Sequence, residues 1–174
     1  SQDIYDSEHS EKYAGFLLKT KQYNLAIDEL QRLIFMNPEK DSLKTLLGNC
    51  YLNNEQYQEG TKKLKSYYSD LSKIPSGPAF IFSKLLLLTD SVKSASDFSL
   101  INQNLTSEHK KLIEINSILL QKKWCLAREW MSKEPNKMPE KISEQYEALI
   151  AEAICEKKKS PVISFLLSVP VPGA

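Results

Sequence analysis

Apolar side chains recur along this chain three and four residues apart. Tyr13, Phe16 and Leu17 fall on one helical face, and Leu43, Leu46, Leu47 and Cys50 on another. Ile142, Tyr146, Leu149, Ile150 and Ala153 mark a third. This is the spacing of amphipathic helices that each bury one stripe. Residues 80 to 88 are apolar nearly all round, which predicts a helix enclosed on every side. No segment alternates apolar and polar positions as a half-buried strand does. The breaks between helices fall at Asn37-Pro38, at Ile74-Pro75-Ser76-Gly77-Pro78, and at Pro135 and Pro139, where proline ends a helix at or before its predecessor. Thr106 or Ser107 is a candidate N-cap. The pattern predicts an all-α protein.

The helices repeat. Tyr23 and Tyr57 open successive units, each followed three positions later by a small residue, Ala26 and Gly60, and then by Leu30 and Leu64. Leu47, Gly48 and Tyr51 precede the second set, and Asn37-Pro38 follows the first. Trp124 and Ala127 repeat the mark about two periods later. This resembles the tetratricopeptide repeat, in which Leu-Gly-x-x-Tyr on one helix is followed by Ala-x-x-x-Phe on the next and then by Pro. The interval from Tyr23 to Tyr57 equals that family's period. The resemblance is good over residues 7 to 72. It is degenerate from 75 to 106, where the small and aromatic marks are missing, and fair from 107 to 133. It implies an antiparallel helix-pair solenoid of about four pairs, with residues 139 to 158 as a capping helix. Helix pairs of this kind must stack, because one pair cannot bury its own apolar face. Residues 1 to 158 form the repeat domain on this reading, and 159 to 174 an apolar tail.

Composition narrows the function. At 174 residues the chain has room for one domain. Its net charge of +1 provides no whole-protein field for nucleic acid. Five glycines leave almost no material for a phosphate-binding loop. Cys50, Cys125 and Cys155 have neither disulfide nor metal spacing and read as small core side chains with free thiols.

Few residues suggest chemistry. His9 and His109 each sit near a helix start and read as solvated histidines. Ser107-Glu108-His109-Lys110 has the loose Ser-x-x-Lys form of some acyl-transfer enzymes, but falls where a helix cap is expected. Asp28-Glu29 reads as surface charge. Lys62, Lys63 and Lys65 beside Tyr67 and Tyr68 are material for RNA binding or, more simply, a solvated helix face. Asn104-Leu105-Thr106 has the form of a glycosylation acceptor.

In tetratricopeptide proteins the first helix of each pair lines a concave groove. That register places Asn49 and Asn116 at one repeat position, with Ser83 and Gly15 as their equivalents and Lys19, Thr45, Asn53 and His109 nearby. An asparagine amide both donates and accepts, which suits the backbone of an extended peptide. Solvation of a plain surface is the alternative. The lysines and arginines of the family's carboxylate clamp are not in register here.

The ending differs from everything before it. Lys157, Lys158 and Lys159 are followed by an uncharged apolar run from Pro161 that includes Phe165 and Leu166. Lys159, Ser160, Pro161, Leu167, Ser168, Pro172 and Gly173 resemble a segment of bacterial envelope proteins in which a tetratricopeptide region leads into a membrane hairpin. The resemblance implies a leader removed at the start, an envelope location, a parent chain that continues, and lysines at headgroup level. The run alone is shorter than the roughly 20 residues a spanning helix needs. The expectation is a non-enzymatic scaffold that binds a protein or peptide, without cofactor, metal or nucleic acid, and with possible membrane contact through the tail. The alternatives are an enzyme or nucleic-acid binder on a helical solenoid, and a cytoplasmic location.

Overall fold

Each apolar stripe becomes one helix, and the helix Tyr23–Met36 ends just before the expected stop at Asn37-Pro38. The computed structural model describes residues 7–89, 92–133 and 138–155. Among these residues the chain forms nine α-helices and no strand. They are α1 (Ser7–Lys19), α2 (Tyr23–Met36), α3 (Asp41–Asn53), α4 (Tyr57–Ser66), α5 (Ser76–Thr89), α6 (Val92–Ile101), α7 (Ser107–Leu120), α8 (Trp124–Ser132) and α9 (Glu140–Cys155). A 3-10 turn, Leu71–Lys73, joins α4 to α5. Sequential helices pack on one another, and first helices also meet across units, α3 with α5 and α5 with α7. The architecture is an all-α helical-repeat solenoid of four pairs closed by α9.

The turn within a pair is built the same way in three of the units. Lys21, Glu55 and Lys122 take left-handed φ values of 59°, 58° and 57°. One repeat period separates the first two, and about two periods the last two. Before each, the amide of the left-handed residue bonds back three residues and the next amide bonds back five. The six bonds are Lys21 to Leu18 and Gln22 to Leu17, Glu55 to Leu52 and Gln56 to Tyr51, and Lys122 to Leu119 and Lys123 to Ile118. This is the paired bonding that satisfies orphan carbonyls at a helix end. The following helix then starts identically, with the amides of Ala26, Gly60 and Ala127 donating to the carbonyls of Gln22, Gln56 and Lys123.

Those small residues sit where helices touch. Ala26 and Ala127 are fully buried. So is Ala95 of α6, which takes the same position in the unit that carries no aromatic mark. At Gly60 a Cβ would lie 2.7 Å from Tyr51 Cβ and 3.1 Å from Leu85 Cδ2. Tyr51 Cβ is close to the backbone and cannot swing away. Gly60→Ala is therefore expected to lose about 1 kcal/mol, because overpacking of this kind outweighs the helix-propensity gain. A urea midpoint equal to or above that of the parent would show the contact to be slack.

The enclosed helix is α5, whose residues from Pro78 to Leu85 are all buried against α3, α4, α6 and α7. On α9 the expected stripe faces inward, with Tyr146, Leu149 and Ile150 buried. Two expectations are corrected. On α1 the buried residues are Ala14 and Leu17, while Tyr13 and Phe16 stay half exposed. That helix packs chiefly on α2, so only a narrow stripe is covered. Cys125 lies exposed on α8, because the small residue the pair contact needs there is Ala127. Cys50 is buried, and burial pushes its thiol up to about 12. The Cys155 side chain lies outside the described part of the structure.

Candidate functional site

The polar residues expected to line one groove divide into two groups. The first lies along α3. Thr45, Asn49 and Asn53 are spaced four apart and make one polar ridge on that helix. Thr45 is half-buried, and its hydroxyl donates to the Asp41 carbonyl at 3.0 Å. It also neighbours Gly77 of α5, where a Cβ would stand 3.1 Å from Thr45 Oγ1. Asn53 is exposed and gives its amide to the Asn49 carbonyl at 2.7 Å. Asn49 is half-buried, and its side-chain amide has no hydrogen-bond partner among the described residues. Lys19 is exposed at the end of α1, and no described contact ties it to the ridge.

The second group is internal, which corrects the expectation that it faces a groove. Ser83 is fully buried in α5 and bonds back to the Phe80 carbonyl at 2.7 Å. Asn116 is buried on α7 and accepts from the Tyr146 hydroxyl of α9 at 3.0 Å. It anchors the capping helix, which lies over the face a groove would need. His109, expected at the surface, is buried too. Its ring stacks on Phe80 at 4.3 Å between centroids and 13° between planes.

His109 is the unusual member of this group. Nδ1 pairs with Ser76 Oγ at 3.1 Å, while Nε2 is sealed from solvent with no partner among the described residues. The Lys84 ammonium lies 5.2 Å from the Phe80 ring on which the imidazole stacks, and burial brings its pKa down to about 8. A serine beside a histidine has the outline of a nucleophile and base. Here the second ring nitrogen faces no described orienting acid, and the ring is held flat against Phe80.

Burial holds the His109 pKa below its ordinary 6.5, with Glu108 opposing and Lys84 adding to the fall. The unfolded chain therefore binds this proton more readily. The sign follows: the stability contribution is full above about pH 6.5 and falls as pH drops below it. His109→Phe keeps the stacked ring and removes the titration. Its denaturant midpoint is expected to change less between pH 7 and pH 5 than that of the parent. An unchanged pH slope would show that other groups carry it.

Ser107 starts α7, where Thr106 caps the helix by accepting from the His109 amide at 3.1 Å. The Ser-x-x-Lys match is thus a helix start, as expected. Asn104 is exposed but its amide nitrogen already bonds the Lys73 and Ile74 carbonyls at 3.0 and 3.2 Å. A glycan on that nitrogen would take one of its two hydrogens and so remove at least one of these bonds. No cluster of three His, Cys, Asp or Glu residues is placed to hold a metal among the described residues. No described helix is long and apolar enough to cross a membrane. Lys157, Lys158, Lys159, Phe165 and Leu166 lie outside the described residues.

Sequence reasoning missed one surface feature. Phe35, on the second helix of the first pair, is 88% exposed. The signal was present as two apolar residues, Phe35 and Met36, just outside the buried stripe of α2. Searches of protein-family models, characterised proteins and solved structures give no match to this chain.

Proposed function

We propose that this chain is a tetratricopeptide-type scaffold that binds an extended peptide or a protein segment along α3. The register is supported by the three identical left-handed turns at Lys21, Glu55 and Lys122 and by the buried small residues that follow them. The binding reading rests on Asn49. Its amide is half-buried, without a partner among the described residues, on a first helix between Thr45 and Asn53. An amide so placed can accept from one backbone N–H and donate to a C=O of a peptide laid along the helix. A peptide leaving both bonds unmade would meet a desolvation cost, which gives the ridge selectivity.

Photocrosslinking tests this reading. A photoreactive residue at position 53 is expected to yield a discrete adduct in cells, and Asn49→Arg to abolish it while the helical signal is kept. No adduct, or an adduct that Asn49→Arg leaves intact, would overturn the assignment. The envelope location belongs to the same proposal and is supported by residues 157 to 173 of the sequence. Recovery of the protein with cytoplasmic markers when cells are fractionated would overturn that part.

A further inference from the structure

The third and fourth units meet through their first helices, α5 and α7, and a titratable ring stands at that seam. His109, in the first turn of α7, stacks on Phe80 of α5 and pairs through Nδ1 with Ser76, in the first turn of α5. A neutral imidazole can carry its single proton on Nδ1, where Ser76 Oγ accepts it, and keep Nε2 as a bare lone pair. A second proton must go to Nε2, which is closed to water and has no acceptor among the described residues. Protonation therefore buries both an unmet N–H and a charge. The charged groups that act on the ring are Glu108 of its own helix and Lys84 of α5; none from α6 or α8 does so among the described residues. Glu108 is exposed, so solvent screens its attraction. Lys84 is buried beside the same Phe80 ring, and an imidazolium would add a second cation there.

We propose that the seam between α5 and α7 is an acid-opened joint: protonation of His109 parts the first turns of the two helices and lets the ring reach water while the rest of the solenoid stays folded. Opening is confined to those turns because the connections into both helices stay tied. Asn102 joins the Leu71 and Ile74 carbonyls ahead of α5 to the amides of Asn104 and Leu105 ahead of α7. The sign follows from where each group titrates. Lys84, with its pKa brought down to about 8, is already charged at pH 7, so its cost does not change below that. The His109 ring has a folded pKa below 6.5, so the joint is closed above about pH 6.5 and loosens as pH falls. The pH slope of overall stability does not require this: a seam that opens only with the whole fold would give the same slope.

Hydrogen exchange of the whole chain between pH 7.5 and pH 5, corrected for the intrinsic pH dependence of amide exchange, separates the two. Peptides from residues 76–84 and 107–113 are expected to lose protection by up to about tenfold per pH unit, the slope of one linked proton. Those from α1, α2 and α3 should keep theirs. The loss should begin below about pH 6.5 and level off near the pH at which the His109 ring titrates by NMR in the folded chain. His109→Phe, which keeps a stacked ring, should remove the loss, and Lys84→Met should shrink it by easing protonation of the closed form. Unchanged protection at the seam, an equal loss in every helix, or a loss that persists in His109→Phe would overturn the proposal. A His109 ring that titrates at or above about pH 6.5 in the parent chain would overturn it whatever the variants do.

Discussion

Asn102→Ala is expected to lose about 3–4 kcal/mol of folding stability, since several buried hydrogen bonds worth about 1 kcal/mol each vanish together. Asn102 is fully buried between α6 and α7. Its amide nitrogen donates to the Leu71 and Ile74 carbonyls at 2.9 and 3.1 Å. Its oxygen accepts from the amides of Asn104 and Leu105, both at 3.0 Å. One side chain thus satisfies backbone groups on two segments far apart in sequence: the 3-10 connection into α5 and the turn into α7. Alanine would leave these groups without partners where water does not reach. Ile74 keeps one bond, from Asn104 at 3.2 Å, which keeps the loss from growing further. Asn102→Asp is a second check. It retains the acceptor but turns an oxygen toward two carbonyls, so it should be worse at pH 7 than at pH 4. A urea midpoint for the alanine variant within about 1 kcal/mol of the parent would mean that water replaces the amide.

Nothing in the sequence pattern singles out Asn102, which reads as one polar residue in the loop "NQNLTS". Helices announce themselves because their apolar period is local: α3 and α9 fall where that period puts them and α2 stops before Asn37-Pro38, whereas α5 opens at Ser76, inside the expected break at Ile74 to Pro78. Connections are less legible. The three repeated turns carry Lys21, Glu55 and Lys122 at left-handed φ, where glycine would have been the usual signal. Unit three hid its small residue in the same way. Ala95 is buried like Ala26 and Ala127, yet no tyrosine or tryptophan precedes it to mark the register.

The candidate site divides along a similar line. Periodicity tells which residues share a face, but not which later helix covers that face. Thr45, Asn49 and Asn53 remain at or near the surface. Asn116 shares the repeat position of Asn49 but is covered by α9 through Tyr146. Ser83 shares it on α5, a helix surrounded by four others. His109 stacks on Phe80 of that same helix. Burial in each case is set by a partner distant in sequence. The exposure of Phe35 has the converse origin: α2 carries apolar residues beyond the stripe that its neighbours cover.

Gly48→Leu is expected to cost about 3 kcal/mol or more, at the upper end of what overpacked cores show. Gly48 is on α3 where α4 and α5 both approach. A Cβ there would collide with Ile81 Cγ2 and stand 3.0 Å from Leu64 Cδ1. Ile81 is fully buried and β-branched, so its methyl cannot rotate aside without leaving its rotamer. Leucine adds three more carbons to a space that does not hold the first, and the helices must separate. Gly48→Ala should lose less, since alanine recovers about 1 kcal/mol of helix propensity. The mechanism is tested by a cycle with Ile81→Ala, which deletes the colliding methyl. Each single variant should destabilise, one by crowding and the other by a cavity. Together they should lose less than the sum by about 1–2 kcal/mol, because each occupies or vacates the same volume. Strict additivity across the four urea midpoints would place the cost in the α3 backbone rather than in the contact with α5. A deficit would locate it where three helices of adjacent pairs meet, at the glycine of the Leu-Gly-x-x-Tyr stretch.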